Sequence, residues 1–281
     1  MLARRLPSIL PPLSFEEALE VTQIHSVAGL LKEKGSLVTS RPFRSPHHSA
    51  SGPSLVGGGS FPKPGEISLA HRGVLFLDEM TEFKRDVLEF LRQPLEDGYV
   101  TITRTRQSVE FPAQFTLISS TNPCPCGYYG DPVQPCTCSL RSREQYWARL
   151  SGPLMDRIDL QVVVGRLKPE EMTQITEGEP SEQVRVRVER ARDRAHDRFQ
   201  SETSLQCNAD MQSRHLRHWC PLDSTTQGLL ENAVRKLGLS ARATDRILKV
   251  GRTIADLDNS ESLQAQHVAE AIQYRTIDRM Q

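Results

Sequence analysis

The tract that most limits what this chain can fold into is Gly73-Val-Leu-Phe-Leu-Asp78-Glu79. Four apolar residues between a glycine and two acids form the pattern of a short strand buried on both faces of a parallel sheet. Parallel strands need crossover connections, and the sequence supplies one. Thr81 to Gln93 reads as an amphipathic helix with Phe83, Val87, Leu88 and Leu91 inward. Gly98 then turns the chain into Tyr99 to Val109, whose alternation predicts a hairpin. Phe115 to Asn122 predicts a second buried strand ending in polar residues, and Asp159 to Val164 a third. Strands alternating with helices predict an α/β core in which ligands sit at the carboxyl ends of the strands.

The flanks of this core read differently. Residues 2 to 10 look helical without a capping residue at their start. Ser14 and Glu17 have the spacing of a capping box, and Leu19, Ile24 and Val27 predict one apolar helix face ending at Gly29. From Arg41 to Ser68 the chain is rich in Pro, Gly, Ser and His and predicts a long loop or hairpin insertion. Beyond residue 166 the apolar strands stop. Ser181 to Gln200, dense in Arg, predicts an exposed connecting helix, and Asp223 to Leu237, Ser240 to Leu257 and Gln264 to Tyr274 predict a small helical domain. The expected division is thus an α/β core at 1–165 with a cysteine-rich insertion at 123–139, a connecting helix at 166–205 and an all-helical domain at 206–281.

Two adjacent carboxylates after a buried strand form the Walker B pattern. In that chemistry the first acid organises Mg²⁺ on the β and γ phosphates of a nucleotide, and the second orients and deprotonates the attacking water. Asp78 and Glu79 would equally serve as acids at the start of the next helix, which complement its dipole. Asn122, at the end of the next apolar strand, is placed to hydrogen-bond the water or the γ-phosphate, a sensor's task.

Pro64-Gly-Glu-Ile67, Ala70-His-Arg-Gly73 with the acid-ended strand, the hairpin, Asn122 and Leu154-Met-Asp-Arg157 together resemble the Mg-chelatase-like branch of AAA+ ATPases. Arg41-Pro-Phe-Arg-Ser-Pro-His-His48, Asn122-Pro-Cys-Pro-Cys-Gly127 and Leu150-Ser-Gly-Pro-Leu-Met-Asp-Arg157 narrow the likeness to the ComM/YifB family of hexameric DNA motors. The resemblance implies an AAA+ P-loop core with a helical lid, ATP and Mg²⁺ as cofactors, DNA as partner, a cytoplasmic location and a hexameric ring. It implies that Arg157 is the arginine finger, with Arg149 a weaker competitor, and that Arg242 is the sensor 2 arginine of the lid. Either arginine would also serve as a solvated surface residue. The family carries Gly-x-x-Gly-x-Gly-Lys-Ser/Thr ahead of its first helix, where backbone N–H groups and the lysine hold the phosphates. No such stretch occurs in this sequence. Because Met1-Leu-Ala-Arg-Arg-Leu6 resembles the family's segment just after that loop, the expectation is a chain starting immediately downstream of it. Such a chain would lack the family's Lon-like domain and be unable by itself to bind or hydrolyse ATP.

Lys plus Arg equals Asp plus Glu at 35 each, so any DNA contact must come from local patches. Arg104 and Arg106 alternate with Thr and would project from one strand face to track successive phosphates in a central pore, or would protect an edge strand. Lys63 is a second pore candidate. Cys124, Cys126, Cys136 and Cys138 crowd into fifteen positions, which in a cytoplasmic chain favours a structural Zn²⁺ over disulfides. Their one-residue spacing departs from the usual Cys-x-x-Cys, and unliganded thiols or redox disulfides stay open. No apolar run approaches the roughly 20 residues of a membrane span. Two readings stand beside the DNA motor: a magnesium-chelatase motor subunit, which typically lacks the cysteine insertion, and an ATP-independent zinc-binding interaction module.

Overall fold

A computed structural model describes residues 2–31, 33, 35–59, 62–104, 107–166, 178–202 and 205–275, with Arg104 and Gln107 as backbone only. The chain forms two compact units, Met1–Arg157 and Ile158–Gln281.

The first unit is mixed α/β. Helix α1 (Phe15–Val27) starts at the expected capping box: Ser14 Oγ accepts from the Glu17 N–H, and the Glu17 carboxylate accepts from the Ser14 N–H, both at 3.2 Å. Its buried stripe is Ala18, Val21 and Ile24, so Leu19 and Val27 stand exposed, contrary to expectation. The stripe is set by what holds the helix down. Glu20, one turn along, binds His71 Nε2 at 3.1 Å and Arg72 Nε at 2.9 Å, and Glu17 binds Arg41 at 3.1 Å.

The tract 41–68, expected as a loop or hairpin, contains more structure. Strand β1 (Phe43–Arg44) joins the main sheet, a turn of helix covers Gly52–Val56, and β2 (Gly57–Gly58) pairs antiparallel with β3 (Lys63–Pro64). Gly, Pro and Ser hide strand and helix from pattern reading here. Strand β4 (Val74–Leu77) is the central strand of a three-stranded parallel sheet in the order β1-β4-β7, with β7 at Thr116–Ser119. Gly73 precedes β4 because a Cβ there would lie 2.1 Å from the Pro42 carbonyl oxygen, which accepts from the Val74 N–H. Val74, Leu75 and Leu77 are fully buried, as the apolar run requires.

The crossover expected as one helix over 81–93 is broken into a 3₁₀ turn at Met80–Glu82, α2 (Arg85–Glu89) and α3 (Arg92–Asp97). Phe83 is extended, with ψ at 147°, which interrupts the helix while keeping Phe83, Val87, Leu88 and Leu91 in the core. Gly98, at φ 75°, turns the chain into the antiparallel pair β5 (Tyr99–Arg104) and β6 (Gln107–Pro112). Strand β7 is only half buried, because among the described residues it pairs with β4 alone. Helix α4 (Leu140–Trp147) closes the cysteine-rich segment.

The second unit is helical: α5 (Ser181–Arg198), α6 (Ser213–Trp219), α7 (Ser224–Leu237), α8 (Ala241–Leu257) and α9 (Ala265–Gln273). Asp223 and Ser240 cap α7 and α8, each accepting from a backbone N–H three residues on. Helix α5 is no exposed connector. Ala191, Ala195 and the following Phe199 are buried, the last two in the core that α8 and α9 share. Among the described residues the predicted third strand is absent: residues 158–166 carry neither helix nor strand, and Val162, Val163 and Val164 are exposed. Polar contacts hold this stretch instead, through Gln161 N–H to the Tyr274 carbonyl at 2.9 Å, Arg275 to the Ile158 carbonyl and Arg246 to Asp159. Among the described residues no helix is long and apolar enough to cross a membrane.

Candidate functional site

The parallel pairing of β4 with β7 matches Leu77 with Ser119, so the two strands end together and release Asp78-Glu79 and Ser120-Thr121-Asn122 side by side. Ser120 Oγ–H donates to Asp78 Oδ1 at 2.5 Å and Oγ accepts from the Glu79 N–H at 3.2 Å. The Met80 N–H donates to the Ser120 carbonyl at 2.8 Å. Glu79 occupies the left-handed region at φ 52°, ψ 53°, uncommon for a residue with a Cβ and a conformation that clusters at functional sites. Both carboxylates and Asn122 are exposed. Asp78 therefore accepts one short hydrogen bond that fixes its orientation while leaving lone pairs for a hydrated cation.

Two neighbours of this pair carry no sequence signal for the site. Ser120 is legible only as part of a polar strand end. His48, from the segment after β1, brings Nδ1 to 3.9 Å from Glu79 Oε2 and packs edge-on to Phe83, and nothing in its local sequence points there.

The arginines sit elsewhere. Arg157 closes the first unit, where it donates to the Pro153 carbonyl at 2.7 Å and pairs with Glu96. Arg149 donates to the Thr81 carbonyl at 2.9 Å and lies 3.3 Å from Glu82. Arg242 is an exposed residue in the first turn of α8, in the second unit. Lys63 is exposed on β3, Arg104 ends β5, and Arg106 lies outside the described residues.

A second candidate site lies a few residues beyond the first. The sulfurs of Cys124, Cys126, Cys136 and Cys138 all fall within 4.8 Å of one another. Cys124 Sγ is 3.4 Å from Cys126 and 3.6 Å from Cys136, and Cys126 is 3.6 Å from Cys136. A tetrahedral ZnS₄ centre with Zn–S bonds of about 2.3 Å has edges of about 3.8 Å, so the one-residue spacing is no obstacle. The loop is folded to this end. Asp131 accepts from the Val133 and Gln134 N–H groups at 2.8 Å, and the Arg143 guanidinium stacks 4.1 Å over Tyr129. Backbone N–H groups, of Tyr128 first and then Thr137, pull the Cys126 thiol down to about 6, whereas desolvation and the neighbouring thiols push Cys138 up to about 12. Amide groups aimed at sulfur favour thiolate, the form a metal binds.

Known proteins share this sequence along its whole extent. The family description "Magnesium chelatase, subunit ChlI" matches residues 1–172, and "Magnesium chelatase, subunit ChlI C-terminal" matches residues 178–275. YifB of Escherichia coli is 45% identical over 281 residues, covering 100% of this chain and 54% of the relative. Competence protein ComM of Haemophilus influenzae is 45% identical over 287 residues, with the same coverage. Magnesium-chelatase subunit ChlI of the alga Pyropia yezoensis is 34% identical over 61 residues, 22% of this chain and 17% of the relative. The chain thus spans about half the length of the curated relatives it matches along its full extent.

Proposed function

The chain belongs to the magnesium chelatase subunit ChlI family, in the branch of YifB and ComM, and from that premise we propose that it forms the water-activating and lid portion of an ATP-driven DNA motor. The observation that carries this reading is the pair of exposed carboxylates released together with Asn122 from two adjacent parallel strands. Asp78, oriented by Ser120, would hold the hydrated Mg²⁺ that accompanies ATP, and Glu79 would take the proton of the attacking water. Asn122 would hold that water or the terminal phosphate in line. ATP with Mg²⁺, when bound, supplies the phosphoanhydride to be cleaved and the charge that stabilises its oxygens. The residues present fit the cation and the water; none in the sequence forms the Gly-rich loop that would hold the triphosphate. In the ring this reading requires, Arg157 would leave Glu96 to reach a neighbouring subunit's nucleotide, and Arg242 would sense it from the lid. The likeness to ComM supports incoming or branched DNA as the track, with Arg104, Arg106 and Lys63 as its contacts.

Two measurements test this. Titration of the chain with ATP and Mg²⁺ should show no saturable binding. In a longer protein that joins this chain to a phosphate loop, Arg104→Ala with Arg106→Ala should weaken single-strand DNA binding and flatten its salt dependence. Micromolar ATP binding to the chain, or unchanged DNA affinity across salt, would count against it.

The sulfur geometry favours a second, compatible reading: Cys124, Cys126, Cys136 and Cys138 hold a structural Zn²⁺ that folds a segment poor in apolar side chains. Plasma emission analysis of the purified chain should find one zinc per chain. A value well below one removes the site. If zinc is present but no longer version of the protein hydrolyses ATP, an ATP-independent zinc module replaces the motor. The short match to algal ChlI supports a chelatase motor subunit less well, because it covers 61 residues only.

A further inference from the structure

We propose that Tyr146 is a positioning residue for the acid site: through Thr81 it couples the cysteine cluster to the ends of β4 and β7, so that a metal on the four cysteines governs how Asp78, Glu79 and Asn122 are held. This rests on the metal reading above. Thr81, two residues beyond Glu79, is wholly buried, and its Oγ1–H donates to the Tyr146 hydroxyl at 2.5 Å. Thr81 Oγ1 is also 3.1 Å from Thr121 Oγ1, one residue before Asn122. Three hydroxyls from β4's end, β7's end and helix α4 therefore form one chain, with Thr81 and Tyr146 buried and Thr121 at the exposed end. The Thr81–Tyr146 link is the stiff part, because a buried hydroxyl that lost its partner there would go unsatisfied.

Helix α4 carries the cysteine cluster's position to this chain. It begins at Ser139, directly after Cys138, with Ser139 Oγ accepting from the Ser142 N–H at 3.2 Å. At its other end the Trp147 indole N–H donates to the Pro123 carbonyl at 3.1 Å, between Asn122 and Cys124. Arg149 adds its bond to the Thr81 carbonyl. The segment from Ser120 to Tyr146 thus leaves the acid site, passes through all four cysteines and returns to Thr81. Closing a loop of this length costs entropy, and metal binding offsets that cost. Without metal, α4 is anchored only by its own few contacts and drifts, and Thr81 and Thr121 move with Tyr146.

The test uses two reporters in the whole chain. Trp147 reads the cluster by fluorescence once Trp219→Phe leaves it as the single tryptophan. Met80, buried between Glu79 and Thr81, reads the acid site as a ¹³C-methyl resonance assigned with Met80→Leu. Zinc is stripped with a strong chelator and then restored. The expected result is a reversible change at both reporters in the parent chain. In Y146F the Trp147 change persists and the Met80 change is lost. T81S, which keeps a hydroxyl, retains the Met80 response, and T81V loses it, so the test holds even if one variant folds poorly. A Met80 signal that ignores zinc in the parent chain, or one that responds in Y146F as in the parent, overturns the coupling alone. A chain that takes up no zinc overturns the metal reading and this inference with it.

Discussion

The two units each hold carboxylates against basic or hydroxyl partners, in opposite ways. In the second unit Asp256 is 3% exposed, and its oxygens meet Arg198 at 3.0 Å, Arg252 at 3.1 Å and Asn208 Nδ2 at 2.8 Å. Arg252, itself 2% exposed, goes on to cap the Ser260 and Glu261 carbonyls at 2.6 and 2.8 Å. The Asp256 carboxylate is bonded on both oxygens within the protein, and two guanidinium groups share its single negative charge. In the first unit the Asp78 and Glu79 carboxylates face solvent and meet one serine hydroxyl and a histidine at a distance. A saturated buried carboxylate stabilises a fold; an oriented and unsaturated one is available to a ligand.

The contrast can be broken or sharpened by substitution. The largest effect on folding belongs to Asp256→Asn, which leaves Arg252 buried without its counter-charge and should cost about 3–5 kcal/mol in urea unfolding of the chain. A loss below about 1 kcal/mol would mean that water reaches the network. Next comes Glu79→Gln, which should leave stability within about 0.5 kcal/mol, as for an exposed side chain. In a longer protein with a phosphate loop the same change should reduce ATP hydrolysis by about 10²-fold or more while nucleotide binding persists. Equal losses in both properties would make Glu79 structural, like Asp256.

A smaller effect is expected from pH. Burial, reinforced by Arg72, lowers the pKa of the His71 imidazolium, against the pull of Glu20 and Glu17, so the folded chain keeps His71 neutral. The unfolded chain takes up that proton first, at about pH 6.5. Stability from this group is therefore complete above that pH and declines as pH falls through and below it. Thermal melts from pH 8 to 5 should show the decline, and His71→Gln should reduce its slope. The smallest change is expected from Ser120→Ala. It should cost no more than about 1 kcal/mol of stability, since its partner is exposed. In a longer protein with a phosphate loop its effect should appear instead as a higher Mg²⁺ concentration needed for hydrolysis, through a less well oriented Asp78.

Much of this was open to reading because it rests on local chemistry. The Ser14–Glu17 capping box, the caps at Asp223 and Ser240, the turn at Gly98 and the acid-ended strand are all short-range patterns, and each forms where its residues stand. What pattern reading missed involves distant partners. Residues 159–164 have a strand's composition but no strand beside them among the described residues, and Arg246 on Asp159 with Arg275 on the preceding Ile158 carbonyl hold the stretch instead. Phe43–Arg44 lacks a strand's length, yet pairs with β4 because Gly73 lets the Pro42 backbone approach.

The sequence by itself determined the kind of chemistry: two adjacent acids after a buried strand, an asparagine after the next, and four cysteines close enough in the chain to meet. Side-chain type and spacing suffice for that, since strand ends and short loops confine their residues. Only the tertiary structure decided that Ser120 orients Asp78, that His48 faces Glu79, and that Tyr146 reaches Thr81 across 65 residues of chain. Those contacts depend on which elements pack together, and a hydroxyl or an imidazole carries no sequence mark of the partner it will find.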